Sequence, residues 1–579
     1  MKSSSSLYLI PHVLNVCLWL LLLTTTVHAQ TVATPDSEEQ HRRAQVQALE
    51  RQQVLQQPRV HLPVQPNVAD MESWPEEAPC FTLKQLRLDA ADQLPENSKQ
   101  AAAHELPLDL FYFASQYLQN YVGRCAGHDG VNLIVRRLGN LILQNGYSTT
   151  RVGIPAQDMS QGELRITLVP GMIHSIRIND ASLYGTWRNA FPTEAGRVLN
   201  LRDLEQGLEQ MKRLTSEDVS MQIVPAEKPG ESDVLLQVAR NRSWKLSTTL
   251  DNSGAKSTGK LQASANLVIE NPLGLSDVLT LGINNDADRS NHGTKGKNLS
   301  YAIPYGYWNS SLSVNDSEYY QQIAGKNTSY ISSGQSRTAQ FKLSQVVERD
   351  QQQKNSWQFN LGKRWAHSYF DDAEIDVQKR DVTFVELGWT HKHYFNHGQL
   401  DVTLAGRWGT SWLGGQQDRN NRPNDEPTFS YALQTLDATL SEQFQLASLP
   451  LTYLGTLRAQ TSGSALYLSD QFSIGGPYTV RGFDGELTLT AERGFFLRNE
   501  ISVPIAHSSH AVYAGLDVGK VFGRSVPYLV GDTLAGATLG VRGSWQHFFY
   551  DVFAGWPVYQ PEQFATTTPT VGLTLTLFY

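Results

Sequence analysis

At 579 residues the chain is long enough for about three domains. Its net charge of -8 is modest and spread along the sequence, which excludes the basic footprint of a nucleic-acid partner. Glycine, tyrosine, tryptophan, threonine and asparagine are plentiful, and no internal apolar run is long enough for a membrane helix.

Lys2, an apolar run from Leu7 to Leu23, and Val27 and Ala29 before Gln30 read as a cleaved signal peptide over residues 1–29. The alternative, a membrane anchor, lacks a basic stop-transfer cluster after it. Cys17 falls inside the apolar core without the small residue that precedes a lipidated cysteine, and leaves with the peptide. Two cysteines then remain in an exported chain, Cys80 and Cys125, and an even pair in an oxidising compartment reads as a disulfide. Without CxxC or HxxxH spacing they cannot complete a metal shell, so no metal and no cofactor are expected.

Residues 30–57 begin with a helix start signal, Thr34-Pro35-Asp36 with Glu39, followed by helix formers to Gln57. Only Val46, Leu49 and Val54 make an apolar stripe, so such a helix belongs in water, in a polar lumen or in a coil. Its length is roughly 30 Å, about that of a bilayer core. Pro58, Pro63, Pro66, Pro75 and Pro79 make residues 58–79 an extended tether. From Cys80 to Arg240 the pattern is strand, helix, helix, strand, strand, twice over, giving small α+β modules at 80–169 and 170–240.

From residue 241 to 579 the chain is a run of segments of about ten residues separated by Asn, Gly, Asp and Ser clusters, as in a transmembrane β-barrel. In the last of them Val571, Leu573, Leu575 and Leu577 alternate with Thr570, Gly572, Thr574 and Thr576, a lipid face and a lumen face. Segments number 16 or 17, the ambiguity lying at 326–332. Modules and C-terminus on one side of a membrane require an even count, so 16 antiparallel strands are expected, around an aqueous lumen. A soluble β-sandwich fails on strand number and on the absence of a second apolar face.

Between two alternating runs, the stretch Phe472 to Glu486 in a 462–492 connection breaks the pattern. Its glycines, with Tyr478 and Phe483 around Arg481, describe a folded loop on a strand scaffold, where function concentrates. Arg481 offers a planar fork that can grip a carboxylate. In the run from Ala511 to Val521, Asp517 shares a face with Tyr513, Gly515 and Gly519 and points inward, while Arg498 and Glu500 share the lumen face of the neighbouring strand.

Val480-Arg481-Gly482-Phe483 is similar to the VRGF signature of the outer-membrane superfamily of barrel-assembly insertases and two-partner secretion transporters. Asn271-Pro272-Leu273-Gly274, the stretch Tyr301 to Gly306, and Phe496 to Glu500 also resemble the transporters, and so extend the likeness over nearly the whole mature chain. The chain is thereby identified as a member of the haemolysin or adhesin secretion and activation family. That resemblance implies an outer-membrane barrel with two periplasmic polypeptide-transport-associated domains, and a polar helix that plugs the pore. Those domains would bind an unfolded secreted exoprotein (haemolysin, adhesin or contact-dependent toxin) by strand addition. It further implies that Arg481 pairs with the acid of a G-x-D strand, here Gly515-Leu516-Asp517, with Arg498 and Glu500 as competitors. Asn179-Asp180 departs from the family's usual glycine, a change that asparagine tolerates. The aromatic C-terminus resembles the signal read by the barrel-assembly machinery. With no P-loop, transport would run without ATP. An insertase would be expected to carry a longer array of modules and no plug, an enzyme would need a GxSxG or HExxH motif that is absent, and a passive porin would not need the modules.

Overall fold

The computed structural model describes residues 35–56, 60, 62, 72–90, 110–180, 184–288, 292–324, 329–371, 373–506 and 508–579. The expected signal peptide lies outside them.

Strands from Trp244–Asp251 to Thr570–Phe578 close into an antiparallel barrel whose last strand pairs with its first. The wall has 16 strands, because the two-residue strand Ala373–Glu374 only extends Gln353–Phe370, which itself pairs with Arg380–Phe395. The ambiguous stretch is no strand of its own: Ser329 to Ser332 opens the 21-residue strand Ser329–Arg349, which zips onto the 17-residue Trp308–Ala324. A hairpin this long exceeds the span of a bilayer, so counting in ten-residue units overcounts it.

Side chains obey the pleat. Val571 and Leu577 are exposed on the outer wall while Thr570 and Thr576 are buried inside. Two-residue turns at 306–307, 396–397, 447–448 and 546–547 mark one rim. The other rim carries the long connections 411–431 and 463–492, the usual asymmetry between periplasmic and extracellular sides.

Below the short-turn rim sit the two modules. In the first, Gln85–Ala90 runs parallel to Glu163–Val169, with Arg151–Gly153 on the other side, under helices Tyr112–Leu118 and His128–Gln144. Leu118, Ile134, Leu138, Leu164 and Ile166 fill its core. The expected single first strand is two: Phe81–Thr82 turns aside to pair with Cys125–Ala126, beside the Cys80–Cys125 disulfide. Residues 72–79, read from their prolines as tether, belong to this module. Trp74 donates its indole N–H to the Cys125 carbonyl at 3.1 Å. The Glu77 carboxylate accepts from the amides of Gly127, Asp129 and Gly130 at 2.7 to 2.8 Å, capping the helix His128–Gln144, whose N-terminal dipole favours an anion.

In the second module Met172–Ile178 runs parallel to the central strand Glu231–Arg240, and Glu217–Pro225 runs antiparallel to it. Only one α-helix is found among its described residues, Leu201–Lys212; the other expected helix is replaced by turns around Trp187 to Phe191. Gly185 at φ +111° and Pro192 bracket that segment and prevent a longer helix.

The polar face of Leu201–Lys212 is buried against the barrel rim. Gln206 and Gln210 donate to the Gly306 carbonyl at 3.2 Å each, and the Tyr307 hydroxyl donates to Asp203. Glu209 accepts from Arg349 and from Lys354, both at 2.6 Å. The same Arg349 donates to the Val60 carbonyl at 2.9 Å, and Leu62 N–H donates to Glu205 at 2.8 Å, so the tether is clasped where module and barrel meet. Burial alone would raise the Glu209 carboxyl, but Lys354 and Arg349 override it and hold it down at about 2, from an ordinary 4.5.

A carboxyl depressed on docking stabilises the docked state above its free value and loses that contribution as pH falls through its docked value. Docking of the second module should therefore be intact at neutral pH and loosen between pH about 4.5 and about 2, read by hydrogen exchange of residues 201–212. Glu209→Gln should loosen this helix already at pH 7 and flatten the acid dependence; an unchanged acid profile would remove Glu209 as the docking group.

Candidate functional site

The connection between Ser462 and Arg493 does not stand above the barrel but packs into it. Phe472–Ile474 pairs with Leu489–Ala491 to form a small ribbon, and Ile474, Val480, Phe483 and Leu489 are buried with Val521, Leu534 and Phe564. Phe483 meets Phe564 edge-on, ring centroids 5.6 Å apart. The Thr479 hydroxyl oxygen accepts from the amides of Gly475 and Gly476 at 3.1 Å, which tightens the turn before the VRGF stretch.

Small wall residues make room for that stretch. A Cβ on Gly536 would stand 1.8 Å from the Arg481 carbonyl oxygen, and Gly482, at φ +104°, lies where a Cβ would meet the Trp556 carbonyl at 2.6 Å. Gly515, Gly519 and Gly555 line the same trench, beneath Arg481, Val480 and Gly482 respectively. Backbone can approach backbone here only because the wall lacks side chains.

Arg481 and Asp517 come together in this trench. Nε donates to Asp517 Oδ2 at 2.7 Å and Nη2 to Oδ1 at 2.9 Å, a bidentate pair, while the Arg481 amide adds a third bond to Oδ2 at 3.0 Å. Arg481 is 3% exposed and Asp517 1%. Glu500 is a second partner, accepting from Nη1 at 2.5 Å. Arg498 sits directly across from Asp517 in register, 3.9 Å from its carboxylate, and donates to the Tyr478 carbonyl at 3.1 Å.

Two further residues complete the arrangement. Arg542 donates to the other Glu500 oxygen at 2.5 Å and lies 3.7 Å from Asp551, which accepts from the Tyr513 hydroxyl at 2.7 Å. Three arginines thus alternate with three carboxylates, and the cluster is neutral. Arg542 and Asp551 were missed in the sequence. Their signal was there: Arg542 shares parity with Gly536 and Thr538, Asp551 with Gly555, and the two are paired across neighbouring strands.

The helix Pro35–Gln56 lies in the lumen beside this loop. Thr258 donates to Glu38 at 2.8 Å, and Ser336, on the inner wall, donates to the buried Glu39 at 3.4 Å. Gln40 donates to the Leu468 carbonyl at 2.5 Å, and Arg43 donates to the Ser469 carbonyl and lies 3.9 Å from Asp470. Asp470 is anchored in turn by Arg364 at 2.9 Å. The polar surface that makes no sense on a soluble protein is therefore matched by a polar lumen. The disulfide pair, Cys80 and Cys125, is in the first module and takes no part.

Residues 230–543 match the family model for haemolysin secretion/activation protein ShlB/FhaC/HecB, and residues 113–171 and 172–225 match POTRA domains, the former of ShlB type. The chain is 43% identical over 571 residues to outer membrane transporter CdiB-2 of Burkholderia pseudomallei (strain 1026b), covering 96% of this chain and 97% of that one. It is 30% identical over 502 residues to outer membrane transporter CdiB of Dickeya dadantii (strain 3937), 86% of each chain. The solved structure of CdiB from Escherichia coli superposes with a TM-score of 0.82 at 27% identity, over 95% of this chain and all of that one. Lumen loop, plug-like helix, periplasmic modules and these likenesses together place the chain in the haemolysin secretion/activation protein family, as an outer-membrane transporter of two-partner secretion.

Proposed function

We propose that this is the resting state of a conduit that takes an unfolded exoprotein from the periplasm and passes it to the cell surface without ATP. The observation that carries the reading is a lumen filled by the helix Pro35–Gln56 and the Arg481 loop, neither of which is a strand of the wall. Both can leave without breaking the barrel. Folding of the client outside would supply direction.

Capture falls to the modules. Each three-stranded sheet has open edges, and Glu217–Pro225, the longest edge strand, starts against the barrel rim, where Asn271 donates to Glu217 at 3.2 Å. Edge pairing uses backbone groups that every unfolded chain has, and it suits weak, releasable binding. The aromatic end at Phe578 and Tyr579 is the stretch through which the barrel-assembly machinery would insert this chain.

Three outcomes test the reading. Deleting residues 35–56 should raise single-channel conductance in planar bilayers while secretion largely persists; unchanged conductance would sink the plug. Arg481→Ala and Asp517→Ala should each cut secretion by ~10-fold or more without preventing insertion, since breaking a buried pair strands its partner at about 3–5 kcal/mol. The double variant should be little worse than either, whereas strictly additive losses would separate the two residues. Removing residues 72–239 should abolish surface appearance of the client yet leave an ion-conducting barrel, and normal export from that barrel would return the protein to the passive porins.

A further inference from the structure

The strands Trp308–Ala324, Ser329–Arg349 and Gln353–Phe370 are the longest of the wall, and their extra length lies at the extracellular end. Their outer face shows where the membrane stops. Leu312 and Val314 are followed on that face by Asp316 and Glu318; Asp316 pairs with Arg337 of the next strand at 2.5 Å, and Glu318 with Lys295 at 2.6 Å. Charged side chains are costly on a lipid face, so the apolar band ends below Asp316. Ile323 and Tyr330, paired across the hairpin, stand about 18 Å higher on strands tilted by about 40°, outside the membrane.

The other face of the same three strands is the lumen wall carried upward. Ser336 on it holds Glu39 of the lumen helix, and Arg364 holds Asp470. By the pleat, Tyr330 and Ser332 share this face with Ser336, and Ser368 and Phe370 share it with Arg364. Lower down, its side chains are buried, as at Tyr319, Gln321, Ser332 and Ser368. At the top the face opens to water. There Tyr330 and Phe370 stack across their strands, ring centroids 5.2 Å apart, yet remain 37% and 43% exposed. A stacked aromatic pair left in water above the seat of the helix is a surface made for contact.

We propose that the Tyr330–Phe370 pair is the exit contact of the client: it takes the apolar side chains of an extended exoprotein segment as that segment leaves the lumen. The proposal rests on the conduit reading above and extends it to the outer mouth. Continuity identifies the occupant, because a chain that moves out along the wall at Ser336 meets the aromatic end of the same wall next. An extended chain sets every second side chain on one side, so an alternating segment lays its apolar groups on the two rings. Two rings hold such a segment weakly enough to release it, while biasing the chain against sliding back as the next stretch folds outside.

The test uses the full-length transporter in cells that make the exoprotein it secretes, fused at its C-terminus to a folded domain too wide for the lumen, so that the chain stalls in transit. The photo-cross-linker p-benzoylphenylalanine replaces one residue at a time: Phe370, Gln340 on the inner wall within the barrel, or Tyr320, 45% exposed on the outer face of the same sheet. Irradiation should join the stalled exoprotein to positions 370 and 340 and leave 320 bare. Capture at 340 without 370, or equal capture at 320 and 370, would overturn the exit contact and leave the conduit standing. No capture at 340 would overturn the conduit, and the exit contact with it. Tyr330→Ser combined with Phe370→Ser should slow surface appearance of the unfused exoprotein several-fold, with heat-resistant migration confirming the barrel, whereas Tyr320→Ser should leave the rate unchanged. A double variant that secretes at the normal rate would also overturn the proposal.

Discussion

A guanidinium taken out of water inside a barrel has to be given back its full set of partners, and Arg481 sets the terms for much of what surrounds it. Leaving it unpaired at 3% exposure would cost several kcal/mol. Its five N–H groups therefore fix where Asp517 and Glu500 must stand, and its main chain fixes where side chains must be missing. Gly515, Gly519, Gly536 and Gly555 follow from the second requirement as directly as the acids follow from the first. Arg542 then answers the second oxygen of Glu500, and Asp551 answers Arg542.

How much of this was visible in the sequence depended on whether the pleat could be read. Alternation alone turned Asp517, Arg498 and Glu500 inward, and the family resemblance at Gly515-Leu516-Asp517 singled out Asp517. The same alternation held for Arg542 and Asp551, but their strands, Thr533–Trp545 and Phe548–Tyr559, contain no loop motif to draw attention to them. Their meaning comes only from the register that sets them opposite each other. The barrel and its 16 strands were legible because each strand repeats one signal; the long Ser329–Arg349 hairpin blurred the count because it outruns the bilayer.

The modules were legible as a class and less so in detail. Hydrophobic periodicity found the helix Leu201–Lys212, yet its polar face reads from sequence as solvated. In the structure Arg202, Glu205, Gln206, Glu209 and Gln210 are all buried there, against the barrel rim and the tether. A charged helix face looks the same whether it meets water or a set of complementary charges, and the deciding groups, Arg349 and Lys354, lie about 140 residues away in the chain. Likewise Glu77 sat among prolines that signal a tether. Its partners are backbone amides, which leave no mark on composition.

The two objects in the lumen are held differently. The Arg481 loop carries a core of its own, with Ile474, Val480 and Phe483 fully buried, beneath a six-charge network whose centre, Arg481 with Asp517 and Glu500, is buried. Lifting it would expose apolar surface and strand charges together. Of the described apolar side chains of the helix, Val46 is 37% exposed. The helix meets wall and loop through hydrogen bonds and ion pairs of Glu38, Glu39, Gln40 and Arg43. Beyond the helix the chain is clasped again, at Val60 and Leu62, on the rim where the second module docks. On the proposed reading, a client that pulled on that module would act on the clasp before it acted on the loop, and the helix would yield before the Arg481 network.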